Sequence, residues 1–363
     1  MNHSRLISIM RGEDRSAVGH LSRLGLGALA ACYGVGVAVR NATFDTRLRK
    51  PARLGRTTIS VGNLTTGGTG KTPMVVELAR RLAANGTRPA VLLRGYRANN
   101  GHSDEATLLH DELGSDIPVV ANPNRVHAAR AAISHCNDIG VFVLDDGFQH
   151  RQVHRDLDLV LIDATRPFGF DHLLPRGMLR EPTSNLARAD AVIVTRADQA
   201  EPDILRRLDR QIERLAHRPP IAHASHQWTG YLDQSDNRCP LNHLADRRVV
   251  GVCGIANPAA FGRSLKQHAP TTLTVVSQPD HHIYAAADLR AQLNTIAERE
   301  HPDAFVTTGK DWVKWRPLLA GHQPPQPVYR PILRISFLDG ADNVDALLRQ
   351  ALARSPQIQS VGF

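Results

Sequence analysis

Lys71 and Thr72 close the run Asn63-Leu64-Thr65-Thr66-Gly67-Gly68-Thr69-Gly70-Lys71-Thr72. Glycines at this density let backbone N–H groups turn toward an anion, and a helix that follows offers its positive end, so the spacing suits the phosphates of a nucleotide. In such loops the lysine reaches the outer phosphates and the hydroxyl ligates Mg²⁺. The strict pattern puts glycine where Thr65 stands; Gly67 and Gly68 supply the compensating freedom. Farther on, Leu144-Asp145-Asp146-Gly147 places two adjacent carboxylates where a nucleotide site needs an aspartate to organise its metal. Neighbouring side chains leave a strand on opposite faces, so one of the pair orients metal or water and the other serves a second role. Asp104-Glu105 is an ordinary acidic loop by itself and a candidate base if the reaction is phosphoryl transfer. Asp280-His281-His282 reads as a surface turn, although a histidine beside a carboxylate can share a proton.

Other candidates carry less. His150 and His154 are four residues apart with no further ligands in register, which favours a solvated or capping pair over a zinc site. Cys32, Cys136, Cys239 and Cys253 form no C-x-x-C pair and read as isolated reduced thiols. Thr195-Arg196-Ala197-Asp198 is close to the Asn/Thr-Lys-x-Asp pattern that reads guanine, but arginine replaces its lysine. The phosphate loop is also close to that of membrane-recruited ATPases, except that Thr66 replaces their signature lysine.

Positioning these groups calls for strands that end at the loops. Thr58–Val61 is a short apolar run directly before the glycines, and the helix after them is expected over Pro73–Asn85. Ala90–Leu93, Ile117–Ala121, Val141–Leu144, Leu159–Ile162 and Ala191–Thr195 are further strands, with helices at Val126–Cys136 and Pro202–Ala216. Continuous apolar strands alternating with helices predict a parallel α/β sheet covered on both faces. Prolines at 219 and 220 break the pattern, and Gln227–Ala245 is polar and reads as a connector. A second α/β unit starts at Arg248–Cys253, continues through a helix to His268 and strands at Leu273–Val276, Ala304–Thr307 and Ile332–Phe337, and closes with a helix at Asn343–Ala353.

The chain has 363 residues and a formal net charge of +9, so it can fill two domains and favours anionic partners. Aromatic residues make up only 5%, which argues against a stacking surface for nucleic acid. Leu24–Val39 is uncharged for sixteen residues, short of the roughly 20 that a crossing needs. Arg23 precedes it and Arg40, Arg47, Arg49 and Lys50 follow, a pattern that suits a helix lying in an anionic leaflet. A Gly/Ala-rich core helix has the same composition.

Taken in order, these motifs resemble the tetraacyldisaccharide 4′-kinase (lipid A 4′-kinase) family. The resemblance spans Leu21 to Lys314. It rests on the run from Ser60 to Pro73 and on Leu144-Asp145-Asp146-Gly147-Phe148-Gln149-His150. Support comes from Arg94-Gly95-Tyr96, Leu179-Arg180-Glu181-Pro182, Gly254-Ile255, Pro279-Asp280-His281-His282 and Thr307-Thr308-Gly309-Lys310-Asp311 with Val313-Lys314.

The resemblance implies a P-loop NTPase-like parallel-sheet domain, an N-terminal membrane-associated helix and a second, smaller α/β domain. It implies ATP and Mg²⁺ as cofactors, an acylated glucosamine disaccharide 1-phosphate lipid as acceptor, and an anionic membrane surface as workplace, the cytoplasmic face of a bacterial inner membrane. Nucleic acid is not among the expected partners, and protein partners are left open. It makes Asp104 the base, aided by His281, and Asp145 and Asp146 the metal-site aspartates with Thr72. Thr65 through Thr72 would hold the nucleotide, and Asn63, Glu105, Arg125, Gln149 and Glu181 would line the site. The family's Gly-Asp-Glu-Pro reads Ser103-Asp104-Glu105-Ala106 here, and Met178 and Gly309 are further departures. The expected organisation is residues 1–45 as the membrane-associated segment, 46–225 as the kinase domain, and 226–363 as linker and smaller domain. A membrane-recruited ATPase or GTPase that switches a protein partner is the alternative class.

Overall fold

The computed structural model describes residues 3–95, 103–255, 257–269, 271–279 and 282–354. Helices α1 (His3–Arg11) and α2 (Ala17–Asp45) come first, then β1 (Thr57–Asn63), α3 (Lys71–Ala84) and β2 (Pro89–Leu93). Next are α4 (Asp104–Leu113), β3 (Val119–Ala121), α5 (Arg125–His135), β4 (Val141–Asp145), β5 (Leu157–Asp163), β6 (Ala191–Thr195) and α6 (Pro202–Ala216). The chain goes on through β7 (Ala222–Leu232), β8 (Arg238–Cys239), β9 (Val249–Cys253), α7 (Pro258–His268) and β10 (Thr272–Ser277). It ends with α8 (Ala286–Glu300), β11 (Ala304–Thr307), α9 (Gly309–Leu319), β12 (Val328–Asp339) and α10 (Ala341–Arg354).

Two compact units divide these elements. The first holds residues 1–94, 115–225 and 336–363; the second holds 95–114 and 226–335. In the first the strands run β7-β6-β5-β1-β4-β2-β3, and the pairings among them are parallel. Strands β1, β4 and β5 are buried at every position, so their apolar runs need no alternation. Leu64, Phe148, Ile162, Val194 and Ile212 fill one side of the core, and Leu92, Ala129, Phe142 and Leu144 another. The second unit orders its parallel strands β10-β9-β11-β12 around Phe305, Trp312 and Trp315. Strands β7 and β12 each carry the chain from one unit into the other.

Three expectations about elements change. Helix α3 begins at Lys71, two residues before the expected Pro73, because Gly70 takes a left-handed conformation (φ 89°) and caps it. Pro73 then falls in the first turn, where a missing N–H costs nothing. The expected connector Gln227–Ala245 is largely ordered: β7 runs on to Leu232 and pairs antiparallel with β8. Trp228 and Tyr231 give that polar stretch its anchors, packing against the cluster of Phe261, Leu265 and Val249. The uncharged run Leu24–Val39 lies inside a helix of 29 residues, long and apolar enough to cross a membrane by length and composition, which its sixteen residues alone were not.

One face of α2 is bound to the first unit. Tyr33 Oη donates to the Arg180 carbonyl at 2.9 Å, Arg151 Nη1 to the Asn41 carbonyl at 3.1 Å, and Ala30 and Val37 are buried. The other face leaves Val18, Leu21, Leu24, Leu29, Val35 and Val39 exposed.

Candidate active site

Strand β1 delivers its last residues to the glycine loop at the carboxyl edge of a parallel sheet, where such sheets bind ligands. Asn63 is buried and organises the loop: its Nδ2 donates to Thr69 Oγ1 at 2.9 Å, and its Oδ1 accepts from Lys71 Nζ at 3.0 Å. Thr65 and Thr69 are buried, whereas Gly67 and Gly68 are exposed at the crown. Gly67 (φ 116°) and Gly70 (φ 89°) hold backbone conformations that side chains resist. No side chain caps α3, so the N–H groups of its first turn, including those of Lys71 and Thr72, are presented at the loop for an anion.

Strand β4 runs parallel to β1 and brings the aspartates beside the loop, with Val61 opposite Asp145. The turn after them needs a close approach: a Cβ on Gly62 would stand 2.4 Å from Phe148 Cβ and 2.7 Å from its nitrogen. Asp145 is buried, and its carbonyl accepts from Arg125 Nη2 at 3.4 Å, which places the buried Arg125 behind the strand end. Asp146 turns the other way in a left-handed conformation (φ 55°). Its carboxylate stands 3.5 Å from Lys71 Nζ and accepts from Arg180 Nη1 at 2.6 Å. Burial opposes its ionisation, but the charges of Lys71 and Arg180 prevail and hold its carboxyl below the usual value of 3.8. Gln149 closes the circuit, donating to the Asn63 carbonyl at 2.8 Å and accepting from Arg180 at 3.4 Å.

Two supports of the loop escaped the reading of the sequence. The segment Met178–Arg180 runs along it: Thr66 N–H donates to the Met178 carbonyl at 2.7 Å, and Arg180 N–H to the Leu64 carbonyl at 2.8 Å. The residues that look like a guanine reader brace the loop in this unit. Thr195 Oγ1 donates to the Thr69 carbonyl at 2.9 Å, and Arg196, ion-paired with Asp163, donates to the Gly68 carbonyl at 2.8 Å. The replacement of lysine by arginine was the available signal, since a forked guanidinium can grip a carboxylate and a carbonyl together.

Glu181, expected to line the site, is fully buried, and its carboxylate is taken by Arg40 of α2, Arg188 and Asn185. His150 lies in the turn after β4, and burial, with Arg125 and Arg155 nearby, pushes its pKa down to about 4.

Asp104 and Glu105 belong to the second unit, at the start of α4. Asp104 is exposed, with Lys314 Nζ of α9 at 3.9 Å, and Lys314 donates to the His282 carbonyl at 3.1 Å. His281 and Asp280, like Tyr96 of the Arg-Gly-Tyr motif, lie outside the described residues.

Among the described residues, no three His, Cys, Asp or Glu side chains gather into a site that would hold a metal by itself. The Thr72 hydroxyl and the Asp145 and Asp146 carboxylates fit Mg²⁺, which takes one or two carboxylates and completes its shell with phosphates and water.

A parallel sheet ending in a phosphate loop, with acidic residues on the neighbouring strand, defines a P-loop nucleotide-binding protein of the α/β class. A profile of the tetraacyldisaccharide-1-P 4′-kinase family matches residues 22–353, and the chain belongs to that family. A tetraacyldisaccharide 4′-kinase of Anaeromyxobacter sp. (strain K) is 36% identical over 360 residues, covering 92% of this chain and 93% of that one. The enzyme of the same name from Syntrophus aciditrophicus is 39% identical over 311 residues, covering 79% and 82%. The crystal structure of an LpxK from Aquifex aeolicus in complex with ATP superposes with a TM-score of 0.72 at 26% identity, covering 91% of this chain and 99% of that one.

Proposed function

We infer that this chain transfers the γ-phosphate of ATP to the 4′-hydroxyl of tetraacyldisaccharide 1-phosphate, a step of lipid A biosynthesis. Its membership in the 4′-kinase family over residues 22–353 carries the reading. The loop supports it, because Lys71 and Asp146 stand 3.5 Å apart at the first turn of α3, where a nucleotide's outer phosphates would lie.

The loop N–H groups and Lys71 hold the β- and γ-phosphates, with Asn63, Thr195 and Arg196 keeping the loop in shape. Thr72 and one of Asp145 and Asp146 would hold Mg²⁺, which would supply charge neutralisation for the transferred phosphoryl group. Arg180 keeps Asp146 ionised and in place, and Gln149 and Arg125 fix the backbone around the pair. Asp104 takes the proton of the 4′-hydroxyl, aided by His281, as that oxygen bonds to the γ-phosphorus and the bond to the leaving ADP oxygen breaks.

The exposed apolar face of α2 enters the membrane as a peripheral or monotopic anchor, on the cytoplasmic side of a bacterial inner membrane where ATP is available. Acyl chains of the acceptor stay in the leaflet while its head group reaches the loop, and the net charge of +9 favours anionic lipids.

The test is incubation with γ-labelled ATP, Mg²⁺ and detergent-dispersed acceptor. Label should appear in the lipid, and Asp104→Asn should lose at least a hundredfold in turnover, the scale of a lost general base, while still binding ATP. Label released only as free phosphate, with hydrolysis stimulated by a protein partner, would instead favour the switch.

A further inference from the structure

Away from the nucleotide loop, a second group of cations gathers where α1, the start of α2 and the segment after β5 come together. Arg11, in the last turn of α1, lies 5.7 Å from the centroid of the Phe170 ring, and Arg166 lies 5.3 Å from the same ring. Arg176 reaches α1 by donating to the Met10 carbonyl at 2.8 Å, and Arg23 of α2 donates to the Asp14 carbonyl at 2.6 Å. Arg166 and Arg176 feel the charge of their neighbours. Burial and then Arg11 push the Arg166 pKa down, and burial and then Arg23 do the same to Arg176.

Arg11 is ion-paired with Glu13 at 3.5 Å on the exposed surface, whereas the partners of Arg166, Arg176 and Arg23 are neutral. Arg166 Nη1 meets the Met178 sulfur at 3.7 Å, a weak acceptor. Asp163, whose field reaches Arg166, is bound by Arg196 and Thr165. Among the described residues neither Arg166 nor Arg176 is ion-paired. Like charges gathered in a half-buried place are costly until an anion joins them. Planar guanidinium forks match the paired oxygens of a carboxylate or a phosphate, and a phosphate monoester offers the larger number of acceptor oxygens.

The place fits as well as the charge. Met178, which Arg166 touches, lies along the nucleotide loop: its carbonyl accepts from Thr66, and its Cε would be 3.4 Å from a Cβ on Gly67. Helix α2, with its exposed apolar face, starts beside the same cluster. A ligand held here has one end at the apolar helix and can extend toward the phosphate loop. Arg11 precedes residue 22, the first that the family profile matches, so part of the cluster belongs to a segment outside the shared pattern.

We propose that Arg11, Arg166 and Arg176, backed by Arg23, bind the 1-phosphate of the lipid acceptor and so orient its far sugar toward the nucleotide loop. This rests on the lipid-kinase reading, and the experiment keeps the two apart. Kinetics of the full chain are compared on tetraacyldisaccharide 1-phosphate and on the same lipid without its 1-phosphate, in detergent micelles. Arg166→Ala should raise the KM for the phosphorylated acceptor by about tenfold, the scale of one charge-assisted contact. The KM for the dephosphorylated lipid and for ATP should not move. Arg11→Ala, on an exposed turn, should show the same selectivity if Arg166→Ala proves poorly folded. An unchanged preference between the two lipids in both variants, or an equal loss toward both, overturns the site while leaving the kinase activity standing. Loss of binding to phosphatidylglycerol vesicles with the acceptor preference intact would assign the cluster to bulk phospholipid and also overturn it. Wild-type protein that phosphorylates neither lipid overturns the kinase reading and this site with it.

Discussion

Asp146 is where the charges of the site are balanced. Lys71 and Arg180 together keep its carboxyl below the ordinary value against the pull of burial. A carboxyl depressed in the folded state adds stability above its unfolded value, near 4, and that stability is lost as pH falls through the lower folded value. Arg180→Ala should therefore destabilise the protein most at neutral pH, with the difference from wild type shrinking as the solution is acidified. Urea unfolding at pH 7 and pH 3 measures this, and an equal loss at both would mean that Arg180 acts by packing. Glu181 makes a different case. With its side chain fully buried between Arg40 and Arg188, Glu181→Ala strands two cations and should cost on the order of 3–5 kcal/mol in denaturant unfolding. The folded fraction should keep its KM for ATP; a shifted KM with unchanged stability would return Glu181 to the site that the sequence suggested.

At the scale of elements, α2 joins the two halves of the functional reading. Its inner face ends in the Arg40–Glu181 pair, and its outer face exposes Leu21, Leu24, Leu29 and Val35. Burying one such leucine is worth about 1.5–3 kcal/mol, so Leu29→Glu should weaken vesicle binding at least tenfold in sedimentation while leaving ATP binding intact. Unaltered sedimentation would mean that this face does not meet the bilayer. The parallel strands and the phosphate loop were legible because period, glycine spacing and chemistry agree there. The continuation of β7 past Gln227 was not, since Trp228 and Tyr231 are two anchors in a polar stretch and register is set by neighbours in space. The loop's braces, Met178 and Arg196, were hidden for the same reason: they act across 112 and 128 residues of sequence. Asp104 shows the limit of local patterns, because nothing in its surroundings marks residues 95–114 as part of the second unit.

At the scale of the molecule, the residues proposed to hold the nucleotide and the proposed base reside in different units, each folded around its own core. Removing the base should therefore leave nucleotide binding unharmed, and removing Lys71 should abolish it without unfolding the second unit. Lys71→Ala is expected to lose ATP affinity by a hundredfold or more in calorimetry, as the loss of the lysine proposed to reach the phosphates implies. Near-normal ATP affinity in Lys71→Ala would place the nucleotide elsewhere. The central claim is that this chain phosphorylates one hydroxyl of a lipid disaccharide. Phosphorus NMR of the lipid recovered from purified protein, ATP, Mg²⁺ and tetraacyldisaccharide 1-phosphate tests it most directly. A second monoester signal, assigned to the 4′-position and matched by one ADP per lipid, is the expected result. A spectrum showing only the original 1-phosphate while ATP is consumed would contradict it.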